Sequence, residues 1–342
     1  MTWQPQNLPA DHPPVQSGRI GVLIVNLGTP DAPQASPVRR YLAEFLSDRR
    51  VVEIPPIAWQ PILCGIILNT RPKKSANAYA QVWTDEGSPL AVITRRQAEA
   101  MRGRFGDTVT VDWAMRYGTP SIHDRLQGLM DEGCERILLA PLYPQYSGAT
   151  TATVVDKAAD KLRAMRWQAS LRTLPPYHDD PLYIDALEAD LTRQLDALDF
   201  DPEVLLLSFH GMPQRTLELG DPYHCHCRKT ARLLSDRLTG RNMRIRTSFQ
   251  SRFGPAKWLE PATDDVIAEE AGKGTKRMAI AAPGFSADCL ETLEELAMQG
   301  RDQFTEEGGT HFAALSCLNT SDPGLHMLEA LLRRELSGWI NT

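Results

Sequence analysis

Cysteine is scarce: six residues in 342, at positions 64, 134, 225, 227, 289 and 317, with only Cys225 and Cys227 close together. So sparse a set cannot staple a fold and fits a reducing compartment. An excess of positive charge is also missing. The 37 basic and 43 acidic residues leave a net charge of −6, which argues against a nucleic-acid surface as the main business. The opening MTWQPQNLPADHPPVQSG has no basic stretch followed by an apolar one, so no export leader is expected and residues 1–18 read as a mobile polar tail. The two longest uncharged stretches, Ile54–Thr70 and Ile137–Val155, are broken by prolines and polar residues and make no convincing membrane-spanning helix. Asn26-Leu27-Gly28-Thr29-Pro30 follows a strand-like run but lacks the G-x-G-x-x-G spacing, which leaves little support for a nucleotide.

What is present is an ordinary globular composition, 42% hydrophobic and 23% charged, on a chain long enough for two domains. Short β-branched or leucine-rich runs alternate with helical patterns, the signature of parallel sheets flanked by helices. The expected strands are Arg19–Asn26, Val109–Trp113, Arg136–Ala140 and Ala169–Leu174, then Glu203–Phe209, Met243–Phe249, Arg277–Ala282 and His311–Cys317.

The second half repeats the first. VLIVNLGTP and VLLLSFHGMP align with Gly28 on Gly211; Arg116-Tyr117-Gly118 aligns with Arg252-Phe253-Gly254; Pro141 aligns with Pro283 and Asp180-Pro181 with Asp322-Pro323, at offsets of 183, 136, 142 and 142. The expectation is an α/β fold of two similar Rossmann-like domains, residues 19–180 and 181–342, facing across a cleft, with an apolar insertion holding Ile54–Thr70 in the first. In open parallel sheets the ligand crevice lies at the carboxyl ends of the strands, where these repeated junctions sit.

The copies differ where only one carries chemistry. The overlay sets His210 against Leu27, Asp288 against Tyr146 and Glu291 against Ala149. An imidazole at a strand end serves as a metal ligand, a base, or a hydrogen-bonded structural group. Asp288-Cys289-Leu290-Glu291 reads equally as a carboxylate N-cap with an N3 glutamate. Glu291 and Glu295, four apart on one helix face, then point either to solvent or into the cleft beside His210. The run His224-Cys225-His226-Cys227 looks like metal chemistry, but no second pair of ligands is evident, and the alternative is a helix start with reactive thiols. The apolar segment Ile54–Thr70 reads as a core helix, a hydrophobic lip, or a patch that touches a bilayer.

One ordered set of motifs runs through nearly the whole chain. It comprises Val25-Asn26-Leu27-Gly28-Thr29-Pro30, Gly87-Ser88-Pro89-Leu90, Arg116-Tyr117-Gly118, Leu142-Tyr143-Pro144-Gln145-Tyr146-Ser147 and Ser208-Phe209-His210-Gly211-Met212-Pro213. It continues with Phe249-Gln250-Ser251-Arg252-Phe253-Gly254-Pro255, Trp258, and the stretch from Phe285 to Leu296. The set resembles the ferrochelatases, which insert ferrous iron into a porphyrin in haem synthesis. The resemblance implies His210 and Glu291 as the metal-binding and proton-accepting pair. Glu295 would continue a carboxylate path, and Tyr79, Ser88, Arg116, Tyr117 and Trp258 would line the macrocycle pocket. It implies protoporphyrin IX and Fe²⁺ as substrates and makes the insertion the lip where a poorly soluble porphyrin enters; for a cytoplasmic chain with such a lip, in contact with the inner membrane face through Ile54–Thr70, a monomer is the expectation.

Some family members carry a [2Fe–2S] cluster held by a cysteine in the PQYS segment and three late ones. Here Gly148 occupies the first position and no late trio follows, so no cluster and no other cofactor is expected. Cys289 stands where many relatives have histidine. Two alternatives remain at this stage: a chelatase for coproporphyrin or another tetrapyrrole, and a two-domain porphyrin- or metal-binding protein without turnover.

Overall fold

The computed structural model describes Asp11 and residues 18–340; apart from Asp11 and Gly18, the expected tail over residues 1–18 lies outside them. Eight strands form two four-stranded sheets. The first contains β1 (Arg19–Gly28), β2 (Thr110–Tyr117), β3 (Cys134–Pro141) and β4 (Ser170–Thr173), in the order β2-β1-β3-β4. The second contains β5 (Val204–His210), β6 (Arg244–Gln250), β7 (Arg277–Ala281) and β8 (His311–Ala314), in the order β6-β5-β7-β8. All pairings are parallel, and the order is the same in both sheets. The protein is an α/β fold of two like halves.

The helices between the strands are α1 (Ala35–Ser47), α2 (Pro56–Ile62), α3 (Leu68–Val82), α4 (Pro89–Phe105), α5 (Ile122–Asp131) and α6 (Thr153–Arg163). Then come α7 (Pro181–Asp196), α8 (Gln214–Glu218), α9 (Tyr223–Arg237), α10 (Thr263–Gly272), α11 (Gly300–Glu306) and α12 (Asp322–Glu335). Several start on side-chain caps. Asp180 accepts from the Leu182 N–H at 3.0 Å ahead of Pro181, and Ser321 accepts from the Gly324 N–H ahead of Pro323. Helices α1 to α3 lie between β1 and β2 and make up the insertion of the first half.

Both faces of the central strands are buried, as runs such as Leu205-Leu206-Leu207 require. Val22 and Ile24 of β1 share a core with Leu205 and Leu207 of β5, bridged by Tyr183 and Leu187 of α7 and Leu331 and Leu332 of α12. On the outer faces Leu23 and Val25 pack under α5 and α6, and Val204 and Leu206 pack under α10 and Phe304 of α11. Each such aliphatic side chain contributes roughly 1.5–3 kcal/mol relative to exposure. The strand ends are drawn close: Gly28, at φ +117°, lies beside the Tyr117 carbonyl, which a Cβ would approach to 1.9 Å. Only glycine fits there.

The registers refine the sequence overlay. With Ile24 equated to Leu207, Trp113 corresponds to Thr247 and Ala140 to Ala281. Arg116 therefore corresponds to Gln250, and Tyr117 to Ser251, two residues short of the Arg252-Phe253 match suggested by the residue types.

Candidate active site

His210 is the last residue of β5, paired in register with Gln250 at the end of β6. Its Nδ1 lies 2.6 Å from the Gly211 carbonyl oxygen. A carbonyl only accepts, so Nδ1 donates in this bond, which in the neutral ring leaves the lone pair on Nε2. Gly211 is held tightly: its N–H donates to the Gln250 carbonyl at 2.7 Å, and a Cβ on it would meet that carbonyl oxygen and the Trp258 ring. The Phe285 ring lies 6.4 Å from the imidazole.

Glu291 and Glu295 stand on a π-helix, Glu291–Gln299, that follows the loop after β7. Its wider i→i+5 turn keeps them on one side. That side faces the cleft: Glu295 is half-buried and close enough to His210 and Glu291 to feel both charges. Burial pushes its carboxyl above the ordinary value, with the Glu291 charge adding to the rise while Ser251 and His210 oppose it. The expected N-cap is absent. The Asp288 carboxylate instead accepts from Thr292 Oγ1 at 2.9 Å and Asn319 Nδ2 at 2.6 Å, which ties the head of the π-helix to the loop after β8. Cys289 is buried beside Glu291, and burial pushes its thiol up.

The first half supplies the opposite wall. Tyr79 and Tyr41 lie within range of the Glu291 charge, and Tyr41 donates to the Gly28 carbonyl at 3.2 Å. Leu290 packs with Tyr41, Tyr79 and Tyr117, while Ala287 and Cys289 pack with Leu90 and Met115. Ser88, Arg116 and Tyr117 are buried and already engaged. Ser88 accepts from Thr29 Oγ1 at 2.8 Å, Tyr117 donates to Asp48 at 2.9 Å, and the Arg116 guanidinium bonds Asp48 and Thr153. Trp258, half-buried, covers Gly211 and donates its indole N–H to the Phe253 carbonyl at 2.9 Å.

Residue types alone did not single out Arg71. It lies on α3, its guanidinium 4.3 Å from the Phe253 ring centre, reaching from the insertion to the second half within range of Glu291. Burial lowers its pKa and Glu291 counters the shift. The only signal for it was a lone arginine after an apolar run.

The His224–Cys227 run begins α9, and the helix sends its side chains apart. Cys227 is in the core, Cys225 is exposed, His224 stacks on Phe249 and His226 stacks on His178 with ring centres 3.6 Å apart. Among the described residues no group of three or more His, Cys, Asp or Glu side chains is arranged to hold a metal. Burial pushes the Cys227 thiol well up, so it is not a reactive one.

A family model for ferrochelatase matches residues 19–336. The chain belongs to the ferrochelatase family. A ferrochelatase of Rhizobium johnstonii is 55% identical over 336 residues, 97% of this chain and 98% of that one. One of Agrobacterium fabrum is 52% identical over 337 residues, with the same coverage. Among solved structures, SirB from Bacillus subtilis with Fe³⁺ aligns at a TM-score of 0.57 and 11% identity over 94% of this chain and 97% of that one. CbiX, described as the terminal enzyme of sirohaem biosynthesis in denitrifying bacteria, aligns at 0.50 and 14% over 93% of this chain and all of that one. At such identity these two speak for the fold alone. The ferrochelatase match spans both sheets and every residue of the cleft described above.

Proposed function

We propose that the protein is a ferrochelatase, a lyase that inserts Fe²⁺ into protoporphyrin IX in haem synthesis. Insertion exchanges one divalent cation for two pyrrole protons, so the site needs a ligand that strips water from iron and bases that take protons. Imidazole nitrogen and carboxylate oxygen suit Fe²⁺, and both accept protons near neutral pH. The observation that carries the reading is the His210 imidazole, fixed through its Nδ1 bond to the Gly211 carbonyl, beside the half-buried pair Glu291 and Glu295. His210 and Glu291 act as the metal-binding and proton-accepting pair, and Glu295 continues the carboxylate path. Tyr79 and Trp258 border the macrocycle, and Ser88, Arg116 and Tyr117 hold its wall in shape. The reading includes no iron–sulfur cluster, since glycine at position 148 offers no thiolate and no cysteine follows Cys317.

The apolar turn over α2 and the start of α3 is proposed to touch a bilayer surface, from which a poorly soluble porphyrin arrives. No helix is long and apolar enough to cross a membrane. Yet Ile54, Ile57, Ile62 and Ile66 are 44, 89, 41 and 59% exposed, half of the large hydrophobic side chains exposed among the described residues.

The test is anaerobic turnover of protoporphyrin IX and coproporphyrin with Fe²⁺ and Zn²⁺, followed by loss of free-base fluorescence. Wild type is expected to turn over protoporphyrin IX, and His210→Ala to lose at least a hundredfold in kcat while still binding the porphyrin. Tight porphyrin binding without turnover by wild type would overturn the reading.

A further inference from the structure

We propose that Ser251 is the positioning residue that holds the Glu295 carboxylate toward His210. This rests on the role given to Glu295 above. The Ser251 N–H donates to Glu295 Oε1 at 2.7 Å and its hydroxyl donates to Oε2 at 2.5 Å. One residue thus grips both oxygens of one carboxylate and fixes its plane.

The backbone at Ser251 argues for use of that hydroxyl. Its φ is +65°, in the left-handed region where glycine is at ease and a serine is not. Glycine would supply the same N–H without strain; what serine adds is the hydroxyl, and the hydroxyl goes to Glu295. Strained backbone of this kind persists where its surroundings fix it. Here they do so on both sides. Arg252, next in the chain, is held outward by Asp264 and Asp265 of α10. Gln250, the residue before, is buried and points inward. Its Oε1 accepts from Ser208 Oγ at 2.9 Å and its Nε2 donates to the Glu291 carbonyl at 3.2 Å. Ser208 and Ser248 both meet Thr263, which closes a buried hydroxyl chain that orients the amide.

The end of β6 therefore indexes three groups at once. Gln250 pairs with His210 across the sheet and holds the backbone of Glu291; Ser251 holds the side chain of Glu295. Its counterpart in the first sheet is Tyr117, whose hydroxyl also ends on a carboxylate, that of Asp48.

The experiment is a double-mutant cycle in the full chain: Ser251→Ala, Glu295→Gln and the two together, with Ser251→Gly alongside, each assayed for kcat and porphyrin KM with Fe²⁺ and protoporphyrin IX. Loss of a residue that orients a site group costs about 10- to 100-fold, so Ser251→Ala is expected to lose at least tenfold in kcat with KM held. Ser251→Gly, whose backbone suits the conformation and whose fold is thereby secured, is expected to lose as much. The double variant is expected to be no slower than Glu295→Gln, since the hydroxyl acts only through that carboxylate. A wild-type rate in Ser251→Gly would overturn the proposal, because strain and not the hydroxyl would then be at issue. Multiplying losses in the double variant, or a raised porphyrin KM with kcat intact, would overturn it too. If Glu295→Gln alone keeps the wild-type rate, the role of Glu295 falls and takes this proposal with it.

Discussion

Arg116, the residue before the last of β2, which the family resemblance sets in the macrocycle lining, has a guanidinium engaged within the chain. Asp48 takes its charge, Thr153 takes its Nε–H at 2.7 Å, and its face lies 4.2 Å from the Tyr117 ring centre. Asp48 in turn accepts from Arg116, Tyr117, Thr153 and the Arg50 N–H. Burial alone would raise its carboxyl, but those donors and the Arg116 charge outweigh it and hold Asp48 below its ordinary value. A carboxyl depressed on folding stabilises above its unfolded pKa and loses that contribution as pH falls through the folded one. Asp48→Asn is therefore expected to cost on the order of 2–3 kcal/mol in urea unfolding at pH 7. The gap to wild type should narrow below about pH 4, as Asp48 takes up its proton. An equal gap at both pH values would mean that shape, not charge, holds the residue. Arg71 shows the reverse: it has no carboxylate at bonding distance among the described residues, yet it lies within range of Glu291, and no motif singled it out as Arg116-Tyr117-Gly118 singled out Arg116.

At the scale of elements, all eight strands were legible from their β-branched and leucine-rich runs, with ends within about four residues, the largest difference being β2, which runs on from Trp113 to Tyr117. The π-helix was legible as a helix but not as a wide one, because no proline or glycine interrupts Glu291–Gln299 to mark it. Helix α9 settled the His-Cys run, since helical spacing turns residues two apart to different sides. It also makes a seam with the first half. The Tyr146 N–H donates to His226 Nδ1 at 3.2 Å, Gln145 to Thr230 at 3.1 Å, and His226 lies flat on His178. Desolvation lowers the pKa of His178 to about 4, helped by the His226 charge, while Asp179 opposes and Lys229 assists. A histidine depressed on folding stabilises fully above its unfolded pKa, and that contribution drains away as pH falls from about 6.5 toward the folded value. Replacing it with a side chain that cannot titrate, His178→Phe, should remove on the order of 1–2 kcal/mol of the pH dependence of unfolding between pH 6.5 and 4. An unchanged slope would show that the seam does not depend on a neutral ring.

At the scale of the whole molecule, the two sheets close on a common core, and α12 packs on α7 and on α4 of the first half. Arg104 of α4 reaches Glu329 at 2.7 Å, and Arg172 bonds the carbonyls of Glu335 and Ser337. The insertion buries Val38, Leu42, Leu63 and Leu68 in a cluster of its own and carries Ile54, Ile57, Ile62 and Ile66 outward. Ile57→Asp with Ile66→Asp is expected to weaken sedimentation with phosphatidylglycerol vesicles by roughly tenfold for each side chain that leaves the bilayer surface. The melting temperature serves as the fold control, since both positions are exposed. Equal partition of variant and wild type would remove the bilayer from the proposed function.

The sequence by itself determined the alternation of strands and helices and the duplication, because hydrophobic period and internal repeats are written along the chain; it offered His210, Glu291 and Glu295 as candidates and left their direction open. It even carried Gln250 and Ser251 inside a recognised motif without giving them work to do. Only the tertiary structure decided which charged groups meet. Arg116 goes to Asp48, Arg71 goes over Phe253, and Ser251 goes to Glu295 across a sequence separation of 44 residues. Such pairings depend on sheet register and on the angle at which a strand ends, and a two-residue shift, as between Arg252 and Gln250, changes every partner.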